Sequence, residues 1–227
     1  MSQVDKLSKS SLIVIPVKAL DKAKSRLESL LTQDEKQGLI LAMLQDVTKT
    51  IIKTGTESDL YLLSKDQKIV NYAESHTLGH IRETHDGLNC SIQDATYWAM
   101  DEGYNEMLVI PSDLPLITET DISRLLSTRN KQIVVLSPSK DGGTNAFLRR
   151  PPDIIKSRYG KYSFNKHMEL AKSAGCDINV VKSYTLAFDI DTLQDLSIYA
   201  SKGFSNCSGR YIKLNNLDTK LDDIYLI

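Results

Sequence analysis

From residue 12 to residue 136 the chain alternates short apolar runs with longer segments whose apolar residues recur at helical spacing. No other feature narrows the fold as much. Residues 12–17 (LIVIPV), 59–64 (DLYLLS), 106–110 (EMLVI) and 132–136 (QIVVL) read as buried strands, and 80–82 as a short one. Between them, Thr32 and Glu35 have capping-box spacing ahead of Leu39, Ile40, Met43, Leu44, Val47 and Ile51. A second helix covers 91–100 and stops at Gly103, and a third begins at Thr118 with Ile122, Leu125 and Leu126 turned inward. Strands separated by helices of this length build an α/β fold, a mostly parallel Rossmann-like sheet flanked by helices. Such sheets hold ligands beyond the carboxyl ends of their strands.

The second half is less regular and is expected to form a small substrate-binding wall. Residues 146–148, 178–181 and 185–188 read as extended, and 163–174 as helical. Thr192 and Asp195 open another helix, with Leu193, Leu196 and Tyr199 inward. No low-complexity linker interrupts the chain, so 12–200 is expected to be one domain after a flexible 1–11. Residues 201–227 form an extension suited to an added edge strand or to docking on a second subunit; a homodimer is the default expectation.

With 28 basic and 29 acidic residues among 227, the net charge of -1 gives no global attraction for nucleic acid or an anionic membrane. Trp98 is the single tryptophan, and with the slightly acidic balance it makes nucleic-acid binding the least attractive reading. No stretch reaches the roughly 18 apolar residues of a membrane span, and 1–11 is too polar for a signal peptide, so a cytoplasmic location is expected. Cys90, Cys176 and Cys207 are odd in number and far apart, fitting neither a disulfide framework nor a zinc motif. His76, His80 and His85 show no regular ligand spacing.

Four places concentrate charge or glycine. The first strand ends in Pro16-Val17-Lys18 and continues through Lys22, Lys24 and Arg26, a cationic loop suited to a polyphosphate or simply to solvent. It has neither GxxxxGK[ST] nor GxGxxG, which excludes the ATPase-type P-loop and the dinucleotide fingerprint. Pro111-Ser112-Asp113 follows the strand at 106–110, and Asp189 and Asp191 follow Phe188. Alternate residues of an extended chain face the same way, so these carboxylates can share a hard cation such as Mg²⁺; turn or cap roles are the alternative. Asp141-Gly142-Gly143-Thr144-Asn145 and Arg158-Tyr159-Gly160-Lys161-Tyr162-Ser163 are polar turns whose N–H and hydroxyl groups suit carboxylate or phosphate oxygens. If both serve one ligand, the two turns converge in space. Asp86-Gly87-Leu88-Asn89 offers a tight passage into a helix, with the Asn89 amide free either to cap that helix or to read a purine edge.

Taken in order, VIPVKALDKAKSRL, DGLN, VIPSDLPLIT, GGTNAFLRRPP, RYGKYSFNKH and FDIDTLQDL closely resemble the 2-phospho-L-lactate guanylyltransferase family of coenzyme F420 assembly. The resemblance runs from Leu12 to Tyr199 and implies a nucleotidyltransferase fold of the glycosyltransferase-A type. It implies GTP as one substrate and 2-phospho-L-lactate, phosphoenolpyruvate or 3-phosphoglycerate as the other, with pyrophosphate released. On that resemblance Asp113, Asp189 and Asp191 fall on metal ligands, and Thr144, Gly160 and Ser163 on the phosphorylated-acid site, with Asn145 beside them. Lys18, Lys24, Arg26 and Asp113 would be catalytic. The nucleotide would lie along Pro16, Val17, Lys18, Lys24, Arg26, Gly87, Leu88, Asn89, Pro111 and Asp113. Two departures stand out: Leu193 replaces a frequent proline, and the segment after Ala200 extends past the expected family end. His167, inside an expected helix, is assigned to structure or orientation. A sugar-phosphate nucleotidyltransferase and a non-catalytic nucleotide binder are the alternatives.

Overall fold

A computed structural model describes residues 9–128 and 130–225 of the chain. Of residues 1–11, expected as a flexible start, 1–8 lie outside the described residues, as do the last two apolar residues, Leu226 and Ile227, while Lys9, Ser10 and Ser11 already belong to the first strand. The strands are β1 (Lys9–Pro16), β2 (Ser58–Ser64), β3 (Gly79–Arg82), β4 (Tyr104–Val109), β5 (Ile133–Pro138), β6 (Thr144–Arg150) and β7 (Asp177–Val180). They form one seven-stranded sheet in the order β3-β2-β1-β4-β6-β5-β7. All pairings are parallel except those of β6, which runs antiparallel between β4 and β5. The fold is therefore α/β with a mixed, mostly parallel sheet.

The helices are α1 (Gln33–Lys53), α2 (Gln67–Ser75), α3 (Leu88–Asp101), α4 (Glu119–Leu126), α5 (Ser163–Ser173), α6 (Tyr184–Ala187), α7 (Leu193–Ser201), α8 (Cys207–Leu214) and α9 (Leu217–Tyr225). Reciprocal capping boxes start three of them: Thr32 with Glu35, Thr118 with Asp121, and Thr192 with Asp195. Period-two alternation along β1 divides the core. Ile13 and Ile15 face a layer containing Leu39 and Met43 of α1, Ile122 of α4 and Leu196 of α7, while Leu12 and Val14 face Ile92 and Ala95 of α3 and Ala171 of α5. Both faces of the sheet are covered, as a parallel arrangement requires.

Two expectations need correction. Residues 185–187 are a single helical turn rather than a strand: Ala187 N–H donates to Ser183 O (3.0 Å), and the Thr185 hydroxyl donates to Asp121 (2.5 Å). Only Phe188 keeps an extended backbone there. The segment after 200 adds helices, not an edge strand, and packs on α1 of its own chain. Tyr211 of α8 lies over Gly38 of α1, where a Cβ would come within 2.1 Å of the tyrosine oxygen. Buried Asp46 accepts from Cys207 N–H (2.7 Å), Ser208 N–H (2.9 Å) and the Ser208 hydroxyl at the start of α8. A carboxylate at a helix N-terminus satisfies donors that have no partner within the helix.

Candidate active site

Chain order reverses between β1 and β4. From β1 the sheet continues outward to β2 and β3, while β4 leads the other way, so the loops leaving β1 and β4 diverge and open a crevice. A cleft of about 620 Å³ lies there, within the range of small-molecule sites. Pro16, Val17, Lys18, Lys24 and Arg26 line it from the loop after β1, Gly87 and Leu88 from the entry to α3, and Pro111, Asp113 and Asp191 from its other sides.

The cationic loop is more firmly held than its composition suggests. Val17 N–H donates to Leu63 O (2.9 Å), the Ser64 hydroxyl to Val17 O (2.7 Å), and Leu20 N–H to Asp66 (2.8 Å). Val17, Leu20, Ala23 and Leu27 are buried, which leaves the intervening cations for the cleft. Lys24 takes a left-handed conformation (φ 54°, ψ 42°) that side chains seldom adopt. From that position its ammonium donates to Asp113 Oδ2 (2.5 Å) and Asp191 Oδ1 (2.6 Å). Burial alone would lower the Lys24 pKa, but the two carboxylates outweigh it and raise it.

Asp189 is buried beside this pair. Burial first, and then the charge of Asp113, push its carboxyl up to about 6, against the opposing effect of Lys140. Among the described residues no three acidic, histidine or cysteine side chains close into a metal-holding cluster. Asp113 Oδ2 and Asp191 Oδ1 converge on the Lys24 ammonium. Asp113 Oδ1 is nevertheless buried with no hydrogen-bond partner.

Lys140 and Asp195 brace the segment that carries Asp189 and Asp191. Lys140 donates to Asp189 O (2.7 Å) and pairs with Asp195 (2.5 Å), whose other oxygen accepts from Asp191 N–H (3.1 Å) and Thr192 N–H (2.8 Å). Sequence reasoning treated Asp195 only as a helix opener and did not single out Lys140, although Lys140 adjoins the Asp141-Gly142-Gly143 turn. A long cation reaching back to another segment has no local signature.

The two polar turns converge. Phe164 N–H donates to Gly142 O (3.3 Å), and Thr144 Oγ1 lies 3.1 Å from Ser163 Oγ. Gly142 (φ 82°) and Gly160 (φ 118°) take conformations open to glycine. Thr144, Asn145 and Ser163 are buried and do not line the cleft. Asn145 links the two regions, donating to Leu186 O (2.9 Å) and reaching Asp189 at 3.5 Å.

Asn89 departs from its expected role. Helix α3 begins at Leu88, so Asn89 lies in its first turn, and its amide is engaged at both ends: Nδ2 donates to Tyr159 O (3.1 Å) and Oδ1 accepts from Tyr159 N–H (2.7 Å). It clamps the Arg158–Ser163 turn to α3 and does not line the cleft. Gly87, with φ 98°, is the N-cap, and Asp86 pairs with Lys65.

A mixed sheet of this kind is also the fold of solved nucleotidyltransferase structures. A solved nucleotide-diphospho-sugar transferase candidate from Desulfovibrio desulfuricans G20 matches it with a TM-score of 0.79, covering 96% of this chain and 98% of that one at 17% identity. More particularly, the chain belongs to the family described as Guanylyl transferase CofC like, whose profile matches residues 11–223. That span includes the segment after Ala200 and corrects the expectation that it lies beyond the family. The chain is similar to 2-phospho-L-lactate guanylyltransferase of Methanocaldococcus jannaschii, at 31% identity over 92% of this chain and 90% of that protein. It is also similar to phosphoenolpyruvate guanylyltransferase of Sphaerobacter thermophilus, at 32% identity over 87% and 97% respectively.

Proposed function

We propose that the protein transfers GMP from GTP to a small phosphorylated three-carbon acid, 2-phospho-L-lactate, phosphoenolpyruvate or 3-phosphoglycerate, and releases pyrophosphate. The observation that carries this reading is the Lys24 bridge between Asp113 and Asp191 at the floor of a cleft lined by Lys18 and Arg26. In this reading the acid binds at the converging turns of Gly142–Asn145 and Gly160–Ser163, whose N–H and hydroxyl groups suit its carboxylate and phosphate oxygens. Both named relatives act on acids of this size.

Lys18, Lys24 and Arg26 hold the triphosphate and the departing pyrophosphate; in doing so Lys24 exchanges its carboxylate partners for phosphate oxygens. The acid's own phosphate attacks the α-phosphorus, and with a second pKa of about 6 it needs no general base. Asp113, Asp189 and Asp191 fit a divalent cation, since all their donors are hard oxygens, Asp113 Oδ1 lacks a partner, and Asp189 is raised to about 6 by burial and then by the neighbouring charge of Asp113. Bound there, Mg²⁺ would offset charge that builds up on phosphate oxygens in the transition state.

The test is pyrophosphate release with Mg²⁺ for GTP and ATP against the three acids and glucose 1-phosphate. Turnover with GTP and one acid is expected. Turnover with glucose 1-phosphate alone would make the protein a sugar-phosphate enzyme, and folded protein that binds nucleotide without any turnover would make it a binder.

A further inference from the structure

His167 lies beneath the Thr144–Ser163 pair, fully buried. Its ring stacks on Phe147 with centroids 4.3 Å apart and meets the edge of Tyr159 at 5.2 Å, so its orientation is fixed by packing. Nδ1 lies 3.0 Å from Thr144 Oγ1, and the backbone N–H of Arg158 donates to Nε2 at 2.8 Å. An amide N–H cannot accept, so Nε2 carries the lone pair and the ring proton of the neutral imidazole is on Nδ1. Burial, reinforced by the positive charges of Arg149 and Lys166, pushes the ring pKa down to about 4, which keeps it neutral near physiological pH.

The tautomer decides how many protons the pocket can offer. With the proton on Nδ1, His167 donates to Thr144, and the Thr144–Ser163 contact uses one hydroxyl proton. The other hydroxyl proton, whichever of the two residues carries it, has no further acceptor among the described residues. With the proton on Nε2 the chain would run the other way, Ser163 to Thr144 to Nδ1, and both hydroxyl protons would be consumed. A buried hydroxyl proton without an acceptor is costly and calls for an incoming oxygen.

We propose that His167 is a positioning residue for acceptor recognition: by donating from Nδ1 to Thr144 it leaves one Thr144 or Ser163 hydroxyl proton for an anionic oxygen of the phosphorylated acid. This rests on the acceptor site proposed above. The arginine amide at Nε2 is therefore part of the acceptor specificity, although it never touches the ligand.

Two measurements test it. The first is ¹⁵N NMR of the histidine rings in the full-length wild-type protein without ligand, with His167 assigned by comparison with His167→Gln. A pyrrole-type Nδ1 and a pyridine-type Nε2 are expected, and the reverse pattern overturns the proposal. The second compares two variants on GTP with phosphoenolpyruvate or 2-phospho-L-lactate, whichever turns over. His167→Asn places an amide donor near the Nδ1 position, whereas His167→Gln reaches the Nε2 position and loses the donor to Thr144. His167→Gln is expected to raise the KM for the acid about tenfold and that for GTP less than about twofold, with His167→Asn within about threefold of wild type for both. An unchanged acid KM in His167→Gln, or equal increases for acid and GTP, overturns the proposal. Absence of turnover with every acid removes the guanylyltransferase reading instead, and the ring NMR still decides the tautomer.

Discussion

Lys24 shows how much of this site depends on one backbone conformation. The ammonium reaches both carboxylates because the residue is left-handed, a choice no local propensity favours and which its anchored neighbours impose. Lys24→Met is expected to lower pyrophosphate release by about a hundredfold or more, the usual scale for removing a positioned charge from a phosphoryl-transfer site. Steady-state rates on folded variant protein check this, and near-wild-type turnover would reduce Lys24 to a structural counter-ion. Asp113 and the lysines were visible in the sequence as suitable chemistry at strand ends. Their pairing was not, since Asp113 and Asp191 lie 89 and 167 residues from Lys24. His167 makes a separate prediction through its depressed pKa. The unfolded chain takes up the histidine proton below about pH 6.5, whereas the native ring takes it up only near pH 4, so stability rises with pH across that window. Acidification from pH 7 to pH 4 should cost about 3 kcal/mol through this residue. Urea midpoints across the range measure it, and His167→Gln should show a correspondingly flatter profile.

At the scale of elements, the helices with capping boxes were legible because a side chain three residues away marks the start of each. The parallel strands were legible as apolar runs. For β6 the sequence shows only a short extended run at 146–148: its reversed insertion between β4 and β5 depends on partners some forty residues back as well as on the adjacent strand. Helix α2 carries only two fully buried residues, Ile69 and Ala73, and its short apolar stripe was missed. The turn of α6 owes its form to hydrogen bonds with Asp121 and Asn145, so its β-branched and aromatic composition misled. Contact between α1 and α8 makes a further prediction. Asp46→Ala removes the acceptor for two N–H groups and one hydroxyl at the start of α8, and should destabilise the protein by about 2–4 kcal/mol. A loss below about 0.5 kcal/mol in urea unfolding would mean that water replaces the carboxylate at little cost.

For the whole molecule, the last helices belong to the same core as the first strand. Ile212, Leu217 and Leu221 are buried in the cluster that contains Ile13, Leu39 and Met43. A chain ending at Ser205 would expose that apolar face of α1 and is expected to give mostly insoluble protein, with any soluble fraction lacking a cooperative thermal transition. Expression trials and a thermal melt check this; a stable, soluble product would show that α8 and α9 are dispensable. Asp46 and its partners at the start of α8 are separated by 161 and 162 residues. On a translating ribosome, at about 5–20 residues per second, α1 therefore waits roughly 8–30 s for the segment that covers it. During that interval the nascent protein carries an open apolar flank on α1 beside a hydrated carboxylate, and the window in which it can associate through that flank closes only when synthesis reaches α8.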